Sequence, residues 1–474
     1  MGANQDVLLA TWLCRMVLAT LLTMLLAWRL SVADFGFVTL TGTFLLVIHV
    51  LLDLGTGAVA LREIARSPGD EHAILQRLVG LRFMLATGAA LVLAGLALGE
   101  AEPLRRNVFL VMALGTPLFA LAAGQVALQA RLLPHVPAIL GVVTQGLAVL
   151  ALWLFPFGGD ALPGVLAALV IFGRDLANAL VAWVDARRRT GHWLLPRAGS
   201  GALDFLRLAW PQGRFVLLQL AWFHVDMPLM RWLSGEEELG LYAAATRPVL
   251  PLLLVPGMLV LPLLPRLASE DAATVRALVG KITTLLLGVG AVGVVAALFA
   301  AEELLALIYP EARATAPATI SSLRWLGVAF GAVFVASAPL MALTARRHER
   351  MLLRTGVVAL LMNVLANLYW TPTFGASAAA AITALTELVV AGGALLIWWR
   401  CESQPLDTRL LFPALLPAGV LAGCLLVIAL PGWCVLLLAA LALAPFFVWR
   451  PLAAARREVR RSGSSEAGLT GSTG

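Results

Sequence analysis

Arg15, Arg174, Arg247 and Arg324 each stand inside a run of apolar residues long enough to be a membrane span. A charge in such a run costs about 2.5–3.5 kcal/mol on insertion scales, so each needs a reason. Arginine stays charged in a low dielectric, and its planar fork donates in pairs to phosphate or carboxylate oxygens. Together the four suggest a cationic cavity for an anionic substrate. Arg15 and Arg247 fall at comparable depth in the two halves of the chain, which makes them the first choices. The competing reading is structural: Arg174 with Asp175, or Asp226 with a nearby arginine, forms an ion pair that only locks helices together.

Acidic and titratable groups lie in similar runs. Asp53 follows His49 by one turn, Asp226 lies seven residues after Gln219 with His224 close by, and Glu387 has Thr383 one turn before it. Asp53, His49, Asp226 and Glu387 could titrate and couple transport to an ion gradient. Their commoner use in membrane helices is a hydrogen bond to a neighbouring helix, and Asn363 and Asn367 are read that way. Cys14, Cys401, Cys424 and Cys434 are scattered, with no CxxC or Cys/His cluster, so neither a metal site nor a disulfide framework is expected. No phosphate-binding glycine loop, DxD or nucleophile elbow is present. The expectation is a protein that is not an enzyme, with no catalytic residues and no cofactor.

The elements that must position these residues follow from composition. Of 474 residues 61% are hydrophobic and 13% charged, with a mean hydropathy of +0.91. Soluble domains run about 45–50% apolar and about 25% charged, and no soluble surface could be assembled from this chain. The expected fold is all-α and polytopic, with about fourteen membrane helices near 7–28, 36–59, 78–99, 107–130, 137–157, 162–185, 205–233, 240–265, 277–300, 319–344, 351–371, 376–399, 408–430 and 432–449. The net charge of +7 belongs to loops. Arg62, Arg66, Arg77, Arg82, Arg131, Arg187, Arg188, Arg189, Arg266, Arg346, Arg347 and Arg350 fall on one face, which the positive-inside rule makes cytoplasmic. Arg105 and Arg106 share the opposite face with the acidic clusters Glu236–Glu238 and Glu302–Glu303. Both termini are then cytoplasmic in a bacterial inner membrane, and Arg15 argues for a first membrane helix rather than a cleaved signal.

A repeat divides the helices. Residues 28–37 (WRLSVADFGF) match 231–241 (RWLSGEEELGL) with one insertion. LREIARS at 61–67 answers LPRLASE at 264–270, and LPGVLAALVIFGRDLANALV at 162–181 resembles TFGASAAAAITALTELVVAG at 373–392. Six helices per copy put a pseudo-two-fold axis along the membrane normal, with the substrate site between the copies. The expected bounds are a first lobe at 1–185, a basic cytoplasmic linker at 186–204 and a second lobe at 205–400. Two extra helices follow at 401–450, then a mostly disordered cytoplasmic tail at 451–474. Prolines 211, 228, 248, 251, 256 and 262 bend helices seven and eight, either as a moving gate or as static kinks.

Three stretches carry a family resemblance: ADFGFVTLTGTFLLVIHVLLDLGTGAVALREIAR, then FHVDMPLMRWLSGEEELGLYAAATR leading to LPLLPRLA, and late in the chain NVLANLYWTPTFGASAAAAITALTE. In this order and spacing, over about residues 5–400, the chain resembles the Wzx-type polysaccharide flippases of the multidrug/oligosaccharidyl-lipid/polysaccharide exporter superfamily. The resemblance implies two six-helix lobes around a central cavity. It also implies flipping of a polyprenyl-pyrophosphate-linked oligosaccharide to the outer leaflet by alternating access, for surface polysaccharide biosynthesis. The expected partners are that lipid-linked glycan, membrane lipids and polysaccharide assembly proteins, and no nucleic acid. The arginines would then meet the pyrophosphate. Helices thirteen and fourteen occur in only some relatives. Two alternatives are a cation-coupled drug exporter of the same superfamily and, from another class, a membrane glycosyltransferase or O-antigen ligase or polymerase. The latter needs a large outer loop with catalytic groups, which this chain lacks.

Overall fold

The structure, a computed structural model, describes residues 2–131, 133, 135–154, 162–196, 200–260, 263–269, 271–346, 348–402, 411–427 and 434–439. Most of the last expected span, the tail at 451–474 and Pro262 lie outside them. Among the described residues there are helices and turns and no strand. Lipid demands this, because a helix satisfies its backbone hydrogen bonds within one segment.

The first part of the chain forms α1 (Gly2–Arg29), α2 (Val32–Asp53), α3 (Thr56–Arg66), α4 (Glu71–Leu98), α5 (Pro103–Gly115), α6 (Ala123–Ala130), α7 (His135–Leu154) and α8 (Leu162–Thr190). Then come α9 (Ser200–His224), α10 (Asp226–Val249), α11 (Leu254–Val260), α12 (Leu264–Ser269) and α13 (Ala272–Phe299). The short α14 (Ala301–Ala306) and α15 (Glu311–Ala314) precede α16 (Pro317–Ala345), α17 (Glu349–Glu402) and α18 (Leu411–Val427). Eight spans among the described residues are long and apolar enough to cross a membrane. The chain is therefore a multi-pass helical membrane protein.

The helix breaks have local causes. Ser31 caps α2, accepting from the Asp34 amide at 3.1 Å while its hydroxyl donates to the Asp34 carboxylate at 2.8 Å. At the other end Leu54 (φ 40°) and Gly55 (φ 79°) both turn left-handed, so the expected span 36–59 ends at Asp53. Gly235 (φ 87°) and Gly375 (φ 55°) break α10 and α17 into two helices each, as glycine alone does without steric cost. A 3-10 turn at Thr116–Ala122, opened by Pro117, joins α5 to α6.

By contact the chain separates into two compact units. One comprises Met1–Pro251, Ile308–Thr319 and Gly356–Thr383; the other comprises Leu252–Leu307, Ile320–Thr355 and Ala384–Gly474. These bounds follow contacts, whereas 1–185 and 205–400 follow the repeat, so the second repeat contributes to both units. In the second unit, glycines bring α13 and α16 together: a Cβ at Gly290 would lie 3.1 Å from Phe334, and one at Gly331 would lie 2.6 Å from Val294. Close backbone approach of this kind replaces the hydrophobic effect between helices in lipid. Val292, Ala296, Ala418 and Leu421 form a buried cluster beside it.

The first unit carries the repeat into three dimensions. Asp34 lies against Gly164, whose added Cβ would sit 2.8 Å from Oδ1. The aligned Glu238 lies against the aligned Gly375 and accepts from the Ala376 amide at 2.7 Å. Each acid therefore meets the first turn of the sixth helix of its own copy, where free amides and the helix dipole favour negative charge. The aligned glycines Gly36 and Gly240 meet each other: a Cβ on Gly36 would be 2.8 Å from the Gly240 nitrogen and 2.6 Å from the Glu236 carbonyl oxygen.

Candidate functional site

The predicted cations converge in part. Arg15, exposed on α1, lies along α7, where a Cβ at Gly141 would be 3.2 Å from its Nη1. One turn on along α7, Gln145 accepts from Arg174 at 2.7 Å, and Arg174 also pairs with Asp175 at 2.7 Å. The intramembrane pair foreseen as the structural alternative is thus present, but it leaves Arg174 on the same helix face as Arg15. Arg247 stands over Gly42 of α2, its Nη2 3.4 Å from where a Cβ would be. It is within electrostatic range of Arg174, Tyr309 and His224. Among the described residues neither Arg15 nor Arg247 has a carboxylate partner. Arg324 is exposed on α16 in the second unit.

The titratable groups separate. Asp53 pairs with Arg82 at 2.5 Å. Arg82 belongs to the interior of α4 with a side chain 7% exposed, not to a loop, so the pair ties the α2–α3 elbow to α4. A Cβ at Gly57 would be 2.9 Å from the Asp53 carboxylate, which is why a glycine follows the turn. His49 meets the Leu45 carbonyl through Nδ1 at 2.7 Å and packs on Phe119. Asp226 is buried at 3% exposure. It accepts from its neighbour Met227 N at 2.9 Å, from the Tyr242 hydroxyl and from Thr383 Oγ1 at 3.4 Å. Its partners are neutral donors, so it is an acid held in a pocket of hydroxyls. Glu387 is buried in the second unit. Asn363 and Asn367 bond to each other along one helix: Asn367 Nδ2 donates to the Asn363 side chain at 3.0 Å. Thr371 continues the ladder to Asn367 Oδ1 at 2.8 Å, and Ser234 donates to the Thr371 carbonyl at 2.8 Å.

A second charge cluster went unforeseen because its members fall between the expected spans or, for Arg231, at the end of one, where charges need no explanation. Arg105 pairs with Asp34 at 3.2 Å, with Glu102 at 2.8 Å and with Glu236. Arg231 pairs with the same Glu236 at 2.9 Å and with Glu100. Phe37 underlies Arg105 at 5.0 Å, and Phe109 underlies Arg231 at 5.9 Å. This lattice joins the α2 and α5 starts of the first repeat to the Gly235 turn of the second. A usable signal was the tyrosine count: the chain has 19 phenylalanines and 3 tyrosines. Two of those tyrosines, Tyr242 and Tyr309, are fully buried, where a hydroxyl demands a partner or a purpose.

The fold is shared with known transporters. The structure superposes on the lipid II flippase MurJ in an inward closed conformation with a TM-score of 0.71 and 11% identity. That match covers 94% of this chain and 99% of the flippase. It also superposes on an inward-facing multidrug resistance MATE family transporter of the MOP superfamily, with a TM-score of 0.60 and 15% identity over 82% of this chain and 94% of the other. No curated protein matches its sequence closely enough to count as a relative. Residues 2–270, more than half of the chain, match the family described as polysaccharide biosynthesis protein, and the chain belongs to that family.

Proposed function

We propose that the chain flips a polyprenyl-pyrophosphate-linked oligosaccharide from the cytoplasmic to the outer leaflet of the bacterial inner membrane, with both termini cytoplasmic. The observation that carries this reading is Arg247. It is a guanidinium without a counter-carboxylate among the described residues, placed near two further basic side chains, Arg174 and His224, in a family devoted to polysaccharide biosynthesis. A cation left uncompensated inside a membrane protein is costly unless its counter-charge arrives with the ligand. Arg15 and Arg174 would line the path along α7. The polyprenyl chain stays in lipid while the pyrophosphate is held, and no covalent step is required.

The deciding experiment replaces Arg247 by Gln and follows surface glycan in cells, with membrane insertion as a control. Glycan export falls by tenfold or more, the effect of removing a charge-assisted bidentate contact. Export at the original rate with the protein inserted would refute the cationic cavity. A second reading, a cation-coupled exporter, is favoured by one observation: Asp226 is a buried carboxylate among neutral hydroxyls, able to take up a proton or cation. In the flippase reading the same group, with Asp53, His49 and Glu387 as further candidates, couples flipping to an ion gradient.

A further inference from the structure

The segment between α14 and α16 holds polar groups that the cavity does not use. Tyr309 is 1% exposed and its hydroxyl has no hydrogen-bond partner among the described residues. Arg313 is 5% exposed. Its Nη2 donates to the Leu30 carbonyl at 3.0 Å, while Nε and Nη1 have no partner among the described residues. Both side chains are fixed against the α1–α2 turn. Arg313 lies 5.0 Å over the Phe35 ring, Tyr309 meets that ring edge-on at 6.2 Å, and Trp28 donates to the Ile308 carbonyl at 3.0 Å.

Buried donors are almost always satisfied, and an unpaired one costs about 1–3 kcal/mol, more if charged. Here three orphan N–H or O–H groups lie on one five-residue stretch, with Arg247, which has no carboxylate partner among the described residues, in electrostatic range of Tyr309. Glu311, within the same stretch, is exposed and forms no ion pair with Arg313 among the described residues, while Asp34 is engaged by Ser31 and Arg105 and Glu236 by Arg105 and Arg231. Burial raises the Tyr309 hydroxyl well above its ordinary value despite the pull of both arginines, so it stays a neutral donor. The set is made only of donors and carries two positive charges. That is the complement of an anion with several oxygens.

We propose that Tyr309 and Arg313, together with Arg247, form a binding site for a phosphoryl or pyrophosphoryl group at the α1–α2 turn, separate from the Arg15–Arg174 face. In the flippase reading it is a second station for the pyrophosphate, near loops expected on the outer face. Only that assignment of ligand rests on the flippase reading; the anion site does not.

The test uses the full chain in nanodiscs, titrated calorimetrically with inorganic pyrophosphate and, separately, with farnesyl pyrophosphate. Tyr309→Phe keeps the ring and weakens binding about threefold to tenfold. Arg313→Gln weakens it at least tenfold. Unchanged affinity in Tyr309→Phe and Arg313→Gln overturns the site, and Tyr309→Phe decides alone if Arg313→Gln fails to fold. Loss in Arg313→Gln and Arg247→Gln alike supports the site; binding retained in Arg247→Gln overturns the place given to Arg247 in it and counts against the Arg247 cavity. Loss in Arg247→Gln with binding retained in both segment variants overturns the site and leaves the cavity standing. Tighter binding of the farnesyl ester, lost in the same variants, supports a lipid-linked ligand; equal binding supports the site with free phosphate as its source.

Discussion

The most discriminating perturbation is a single methyl group at Gly240. The α2 and α10 backbones cross there at a distance only glycine permits: a Cβ on Gly240 would lie 2.7 Å from both the carbonyl carbon and Cγ1 of Val32, and nearer still to the Val32 oxygen. Ordinary contact needs about 3.5–4.0 Å, so Gly240→Ala drives the helices apart by roughly 1 Å. A gap of about that size forfeits a quarter to a half of each dispersion contact along the crossing, and overpacking of this kind costs about 1–3 kcal/mol. The lattice spans the same crossing, since Glu236 is one turn before Gly240 and binds both Arg105 and Arg231. The ratio of closed to separated α2–α10 arrangements should therefore fall about 5–150-fold. Hydrogen exchange in nanodiscs reads this directly, as faster exchange in 32–40 and 236–244 together with a lower melting temperature. Gly95→Ala is the control, because nothing lies within 4 Å of its added Cβ. That change removes glycine's helix penalty of about 1 kcal/mol and stabilises instead. Equal effects of the two substitutions would refute the close crossing.

Three further outcomes follow from the described contacts. Asp53→Asn leaves the buried Arg82 without its counter-charge and lowers stability by about 1–3 kcal/mol; the double variant with Arg82→Leu recovers part of the loss, checked by thermal unfolding in detergent. Asp226→Asn removes the titratable group from the Tyr242–Thr383 pocket. Transport in proteoliposomes then loses its dependence on the proton or cation gradient, and gradient-dependent transport that survives the change excludes Asp226 as the coupling group. Asp271 caps α13 through the Thr274 amide at 2.8 Å and hydroxyl at 3.0 Å, which hold its carboxyl below the ordinary value. A depressed carboxyl contributes stability above its unfolded value and loses it as pH falls through the folded one, so exchange at 272–276 quickens in acid but not in Asp271→Asn.

The helical membrane fold was legible because lipid leaves few options: an apolar run near 20 residues long has only one way to bury its backbone. The breaks were less legible. The expected span 36–59 ran through Leu54, a residue with no local reason to turn left-handed; the cause is tertiary, a carboxylate–guanidinium pair that fixes Asp53 to α4. Arg82 misled for the same reason, since a basic residue near a helix end reads as a loop charge unless its partner is known. The site was half legible. A charge inside an apolar run announces itself by its cost, which is how Arg15, Arg174, Arg247 and Asp226 were found. A charge outside an expected span costs nothing on paper, so Arg105 was read as a loop charge and Arg231 and Arg313 drew no reading, although the fold half-buries the first two and buries the third.

The repeat explains why those loop residues matter. Gly36 and Gly240 were aligned as sequence, and in the structure they touch. That approach brings charges beside the two glycines into contact with charges of the other copy. Glu236, in the Gly235 turn of the second copy, binds Arg105 beside Asp34 of the first, while the counterparts Asp34 and Glu238 each hold the start of the sixth helix in their own copy. With one residue inserted and three glutamates in 231–241, the second copy makes both contacts: Glu238 holds its helix start and Glu236 joins the lattice, at the crossing that Gly240→Ala opens.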